Sequence, residues 1–339
     1  MKTISDMKRY PRTFVDMANF KSSEWPDAVL FYAFPLLIES ITTEISELFC
    51  QLSSVMYIFF KSKISESDHE YGEKAIDNFV KKFQRRYGMQ KMNPILHQLI
   101  HIPKVVRQIG PMWGYSTFHF EDENANLLQL VRGPHKVCEQ ISKRLALQRH
   151  YNNTSSLAGL SVEVSNYCER IKRLQTLHFD DMKFIEKTYG DSKFTLFRQD
   201  KSVILFSEIE SIKNHSNINL QKDTQYESFK KISVNGKVFK SKDISTSKTD
   251  DYSFIRLKNG SYAQIECFLM IENEILMLIR VFTRLAHIRS PIHFTVFEQN
   301  SRLEVHNVNL VEEKCIGIPI SNLVWMAPLP NQTKPTIAS

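Results

Sequence analysis

The chain has 339 residues, of which 42% are hydrophobic and 24% charged, with a formal net charge of +7. This composition excludes a disordered polyelectrolyte and leaves room for two or three folded domains with acidic partners. Cys50, Cys138, Cys168, Cys267 and Cys315 are widely spaced, odd in number and never form a Cys-x-x-Cys pair, which points to neither a disulfide framework nor a zinc finger and suits a reducing compartment.

Residues 1–24 are an N-terminal segment with charges throughout and no secretory pattern. From Ala28 to Phe60 the apolar stretch is interrupted by Pro35, Glu39, Glu44 and Glu47, which argues against a membrane span. Ile38, Ile41, Ile45, Leu48, Leu52, Val55, Met56 and Phe59 follow helical spacing and predict one long helix. Ser67 to Tyr87 repeats the pattern with Ile76, Phe79, Val80 and Phe83, and Gly88 stops it, so an antiparallel helix pair is expected. Asn93-Pro94 opens a helix carrying His97 and His101 on one face, and Pro103 ends or kinks it. A short piece from Lys104 closes at Gly110-Pro111.

Trp113, Tyr115, Phe118 and Phe120 nearly alternate and predict a short extended segment. Glu121, Asp122 and Glu123 then begin another helical pattern, where carboxylates face the positive end of the helix dipole. His135 to His150 is a further helix with Val137, Ile141 and Leu145 inward, ended by the polar run 152–156. From Asp191 the period shifts towards two. Asn235-Gly236 and Asn259-Gly260 each have the sequence of a two-residue type I′ hairpin. Strand-like runs at Ile275–Phe282, His293–Glu298 and Lys314–Met326 complete the pattern. The expected class is α+β, with a mostly helical domain over 25–150, a helical or irregular connector over 151–225, a small antiparallel β barrel or sandwich over 226–328, and a tail over 329–339.

Several groups carry candidate chemistry. His97 and His101 are either two zinc ligands, with Glu121 or Glu123 as a third, or structural imidazoles; Gln98 stands where a metalloprotease helix needs glutamate. Lys81, Lys82, Arg85 and Arg86 form a basic helix face able to contact phosphates, with a solvated face as the plain alternative. Lys230, Lys231, Lys237, Lys240 and Lys242 make the first hairpin basic, or protect a sheet edge. Trp113, Tyr115 and Phe118 are either base-stacking or core residues.

Taken as an ensemble, Lys21-x-x-Glu24-Trp25, Leu30-Phe31-Tyr32 with Pro35, His97-x-x-x-His101-Ile102-Pro103, Gly110-Pro111-x-Trp113, Phe120-Glu121 and Asn124 resemble the conserved helical domain of CACTA-type (En/Spm-like) DNA transposases and transposase-derived animal proteins. The likeness covers about residues 10–150. It implies the helical insertion and last helices of an RNase H-like nuclease, in which two Mg²⁺ ions sit between two strand-borne aspartates and a later helical carboxylate.

By position, Glu121 is the candidate third carboxylate. Asp6, Asp16 and Asp27 lie outside any strand pattern, so the chain reads as beginning beyond the catalytic aspartates. The resemblance then implies a nuclear, non-catalytic DNA- or protein-binding remnant. It needs no cofactor alone, and Mg²⁺ only as part of a complete transposase. A protein-interaction module without nucleic-acid binding is the second reading, and a metal-dependent hydrolase using His97, His101 and Glu121 the third; the cytoplasm is the alternative location to the nucleus.

Overall fold

The computed structural model describes residues 18–20, 24–115, 124, 127–154, 184–189, 192–200, 227–234, 237–242, 253–271, 274–286 and 288–330. Residues 1–115 and 183–339 form one compact unit, and 116–182 a second. The β architecture therefore belongs with the first helices rather than to a domain of its own. It also begins earlier than the sequence pattern indicates, inside the stretch read as connector.

The long helix expected over 28–60 is three pieces. α1 (Trp25–Asp27) leads into a wide π turn (Ala28–Tyr32) and then α2 (Ala33–Leu37). Pro35 has no N–H to offer the Phe31 carbonyl, and widening the preceding turn moves that carbonyl away from the proline ring. The chain breaks at Ile38–Thr42, where Thr42 is extended, and α3 (Thr43–Phe59) starts afresh.

α4 (Glu66–Tyr87) opens with a capping box between Ser65 and Asp68 and closes at Gly88, whose φ is 81°. Contacts of Phe59 with Gly72, Glu47 with Lys82 and Glu44 with Arg86 show that α3 and α4 run antiparallel. α5 (Pro94–Leu99) is capped by Asn93, whose side chain accepts the Leu96 N–H at 3.0 Å. Pro103 does not end this helix; it stands in the first turn of α6 (Ile102–Ile109), where a missing N–H costs nothing. Gly110, with φ 98°, ends α6 as expected. Met112–Tyr115 is a 3-10 turn rather than a strand.

In the second unit, α7 (Val137–Thr154) half-buries Val137, Ile141 and Leu145 and runs through Asn152 and Asn153 instead of stopping before them.

The described strands are β1 (Phe184–Tyr189), β2 (Ser192–Asp200), β3 (Glu227–Val234), β4 (Lys237–Lys240), β5 (Phe254–Leu257), β6 (Tyr262–Ile271), β7 (Glu274–Leu285), β8 (Thr295–Asn307), β9 (Val311–Ile320) and β10 (Leu323–Pro328). Six of them close antiparallel in the order β6-β5-β9-β10-β8-β7, with β7 returning to β6. Each of these six contributes to one interior cluster: Phe254, Tyr262, Phe282, Phe297, Cys315, Val324 and Met326. Closure removes free edges from the paired stretches.

β6 serves two neighbours along one edge, pairing with β5 through Tyr262–Gln264 and with β3 through Phe268–Met270. A bulge between Ile265 and Cys267 separates the two stretches. The Lys314–Met326 run is a hairpin, turning at Ser321 with φ 52°.

The Asn259-Gly260 turn is not type I′. Among residues 257–261 only Gly260 has positive φ, 83°; its N–H reaches the Leu257 carbonyl at 2.8 Å and Leu257 N–H reaches Ser261 at 2.8 Å. This is the longer hairpin loop with glycine at the left-handed position of a bulge.

The outside of the barrel is covered twice. β3 and β4 bring Phe229, Ile232 and Phe239 onto Ile255, Ile265, Met277 and Ile279. On another side, Leu30, Phe31, Phe34, Tyr57 and Phe60 pack against Val296, Ile318, Trp325 and Ala327. α3 is therefore buried on two faces, since Leu48, Val55, Ile58 and Phe59 face α4. Buried Ser46, Ser53 and Ser54 keep it slim enough to fit.

Polar bonds finish this seam. The Ser53 hydroxyl donates to the Val29 carbonyl (3.0 Å), His293 Nε2 meets the Leu30 carbonyl (2.7 Å), and the Tyr57 hydroxyl donates to the Pro328 carbonyl (3.0 Å). The His293 ring stacks on Tyr57 at 4.2 Å with 6° between planes. Because a carbonyl accepts from Nε2, the proton sits there, and Nδ1 is buried without a partner.

Two glycines mark close approaches. A Cβ added at Gly72 would lie 2.4 Å from the buried Phe59 ring, and one at Gly317 2.4 Å from the Phe254 ring inside the barrel. Gly72→Ala and Gly317→Ala should each lose about 1–3 kcal/mol in urea unfolding, the usual cost of overpacking. Pairing Gly317→Ala with Phe254→Leu should recover part of the loss; strictly additive losses would show that the two positions do not touch.

Burial also sets a pH dependence. His293 falls from 6.5 to about 4 because burial disfavours its charge, so its contribution is full above pH 6.5 and about 3 kcal/mol is lost as pH falls towards 4. Burial raises the carboxyl of Asp27 from 3.8 to about 7, so its contribution is full below pH 3.8 and is lost as pH rises towards 7. The two trends oppose each other in wild type. Asp27→Asn should expose the acid loss alone, its Tm falling more steeply than that of wild type between pH 6.5 and 4. Parallel Tm profiles would refute these assignments.

Candidate functional site

The structure separates the candidate residues. Glu121 and Phe120 lie outside the described residues, as does Phe118. Asn124 is an exposed helical position in the second unit. Leu30, Phe31 and Tyr32 are core residues of the helix–barrel seam, and Pro103 is buried beneath α6. Gly110 and Pro111 turn the chain into the 3-10 segment. There Trp113 is half-buried and packs with Met112 against the seam cluster, so its ring is a packing element rather than an open stacking platform. Trp113→Ala should cost about 2 kcal/mol, less than a fully buried tryptophan, in chemical unfolding. Unchanged stability would return the ring to a surface role.

His97 and His101 are exposed and sit on successive elements, α5 and the residue capping α6, with ring centroids 5.2 Å apart and nearly perpendicular. Among the described residues no third His, Cys, Asp or Glu joins them in a group able to hold a metal ion.

The basic face of α4 is largely occupied. Lys81 pairs with Asp77 at 2.6 Å, Lys82 with Glu47 at 3.3 Å and Arg86 with Glu44 at 3.1 Å, while Arg85 is exposed. Each pair is solvated and worth little to stability, yet its carboxylate offsets the charge a phosphate would meet. The β3–β4 hairpin is not a uniform cationic edge either. Lys231 stands directly across from Lys240 and is half-buried, and burial followed by the Lys240 charge pushes its pKa down to about 8.

An open cleft of about 400 Å³ lies beside the seam, lined by Tyr57, Lys61, Lys63, Arg256, Glu313 and Leu329 among others. Three of its charges are compensated. Arg256 binds Glu312 at 3.1 Å and Glu313 at 2.6 Å, and Lys61 binds Asp68 at 2.9 Å.

The more informative surface is one that helical periodicity did not single out. Leu96 and Leu99 of α5 and Val106 of α6 point to the core, while Met89, Ile95 and Ile109 are 72%, 72% and 66% exposed, with Ile100 and Tyr87 also open. The signal lay in charge rather than in hydrophobic spacing. From residue 78 to residue 120 there is no aspartate or glutamate, while Lys81, Lys82, Arg85, Arg86, Lys91, Lys104 and Arg107 are basic. Arg107 reaches back to Glu66 at the start of α4 at 2.6 Å; Arg85, Lys91 and Lys104 are exposed and make no ion pair among the described residues.

Comparison with known proteins gives no matching family model, no matching curated protein and no matching solved structure. No described helix is long and apolar enough to cross a membrane.

Proposed function

We infer that this chain is a non-catalytic binding module of the transposase-derived kind, similar to the helical domain of CACTA-type transposases, acting in the nucleus. The observation that carries the binding role is the exposure of Met89, Ile95 and Ile109 in a stretch whose Arg85, Lys91 and Lys104 are exposed and make no ion pair among the described residues. Exposed aliphatic residues that the core does not need are a mark of an interaction site.

The non-catalytic part rests on where the aspartates fall. A two-metal nuclease needs two of them on strands, and the stretch 43–109 is built of helices with Asp27 on another helix before it. Mg²⁺ belongs to a complete transposase. Glu121 alone gives one carboxylate, and a lone carboxylate does not position two metals. The second reading, a module that binds protein rather than DNA, is favoured by the occupied lysines and arginine of α4.

Plasmid DNA incubated with the purified chain and Mg²⁺ or Mn²⁺ should remain intact, for wild type and Glu121→Gln alike. Cleavage by wild type that vanishes in Glu121→Gln would overturn the non-catalytic reading. Duplex binding should be weak. Its log affinity should fall with log salt at a slope of about −3, the value for three free cations. A slope near −6 would mean that Lys81, Lys82 and Arg86 leave their carboxylates for phosphates.

A further inference from the structure

Independently of the binding-module reading, we propose that the open edge of β8 from Ser301 to Val305 pairs antiparallel with the same edge of a second copy of this chain, about a two-fold axis at Leu303.

Topology leaves this edge open. β8 pairs with β7 as far as Asn307, but β10 covers its other side only from Thr295 to Glu298. The Gln299 N–H still reaches the Asn322 carbonyl at 2.9 Å, and there the β9–β10 hairpin turns. β8 then bulges and runs on past the hairpin, and among the described residues no strand joins it before the 3-10 turn Val308–Leu310. One side of its backbone is unpaired over 301–306, where Ser301, Leu303 and His306 are half-buried and Arg302 is exposed.

Symmetry and charge select the register. Residues that face each other in an antiparallel ladder turn their N–H and C=O the same way, and that direction alternates along each strand. A two-fold axis therefore passes through a residue facing its own copy, never between two residues. At Arg302 it would set guanidinium against guanidinium, and at Glu304 carboxylate against carboxylate. At Val305 it would carry Arg302 opposite Val308, where the strand has ended. At Leu303 it sets leucine on leucine, Ser301 opposite Val305, and Arg302 opposite Glu304 of the second copy on both sides of the axis.

The side chains are placed for that exchange. Arg302, Glu304 and His306 alternate along β8 and so share one face. Glu304 Oε2 meets His306 Nε2 at 2.7 Å, while Oε1 lies 2.5 Å from Arg302 Nε yet receives no aligned hydrogen bond. The Arg302 side chain is 78% exposed and makes no other ion pair among the described residues, so its guanidinium can turn to the carboxylate facing it across the axis. An extended peptide of another protein would gain the same backbone bonds. Only a strand with arginine and glutamate in this order answers both charges in one register, and a second copy carries it. A ladder this short buries less than the about 1,200–2,000 Å² of stable interfaces, which makes the dimer weak and reversible.

The test is sedimentation equilibrium of the intact chain from about 1 to 300 µM, a range that brackets a micromolar Kd. Wild type should show a reversible monomer–dimer equilibrium, and hydrogen exchange of the segment 301–305 should slow as concentration rises. Arg302→Glu changes an exposed side chain and sets carboxylate against carboxylate twice by symmetry. It should raise the Kd about ten-fold or more, with circular dichroism and Tm at wild-type values. Glu304→Arg should do the same with guanidinium groups. An equal mixture of the two variants should dimerise again, since each charge then faces its opposite.

A chain that stays monomeric throughout the range overturns the proposal, as does a dimer that Arg302→Glu leaves unchanged. Folded variants whose mixture fails to dimerise overturn it too. Should Glu304→Arg lose its fold, Leu303→Glu sets carboxylates together at the axis in its place, and an unweakened dimer in that variant counts equally against the proposal.

Discussion

The bond between His293 and the Leu30 carbonyl is the point on which the two halves of the main unit depend. A π turn at 28–32 directs carbonyls out of the helical ladder, and buried carbonyls need partners. Ser53 supplies one from α3 and His293 supplies the other from the loop before β8. The same imidazole lies flat on Tyr57, whose hydroxyl reaches the end of β10. One ring thus fixes the π turn, α3 and the barrel in register. The surrounding Phe31, Phe34, Phe294 and Trp325 supply the apolar area that makes the seam worth closing.

Much of the local structure was legible. Asn93-Pro94, Gly88 and Gly110 mark helix ends through capping and left-handed backbone, which are local effects. The change of period marks strands for the same reason, and Asn259-Gly260 marks a hairpin though not of the expected turn type, while Asn235-Gly236 lies outside the described residues. What escaped was set by partners distant in sequence. Helical spacing through 38–59 shows the face of α3 that meets α4, but not that Ser53, Ser54 and Tyr57 form a second buried face, because that face exists only when the barrel is present. Alternation reveals strands and leaves barrel and sandwich both open, and the return of β7 to β6 decides for the barrel.

The candidate site was legible in a different measure. The histidine pair, the basic helix and the aromatic run stand out by residue type, yet residue type does not report whether a charge is already answered. Glu44, Glu47 and Asp77 answer Lys81, Lys82 and Arg86 of the basic face of α4, two of them from a neighbouring helix. Pro103 reads as a terminator until its neighbours place it in a first turn. By contrast, the acid-free stretch from 78 to 120 is visible without any structure. It needs the structure only to show which aliphatic residues remain outside once the core has taken Leu96, Leu99 and Val106.

The seam has a bearing on how the chain is made. Tyr57 and Pro328 are 271 positions apart and His293 and Leu30 are 263 apart, and the unit containing 116–182 is synthesised in between. The first helices therefore leave the ribosome long before the strands that cover Leu30, Phe31, Phe34 and Tyr57 exist. α3 and α4 can pair early through Val55, Phe59, Ile76 and Phe79, but the opposite side of α3 waits as an uncovered apolar surface. Such a chain accumulates a half-finished helical layer during translation, and its yield in a cell is governed by what shields that layer until the last hairpin is complete.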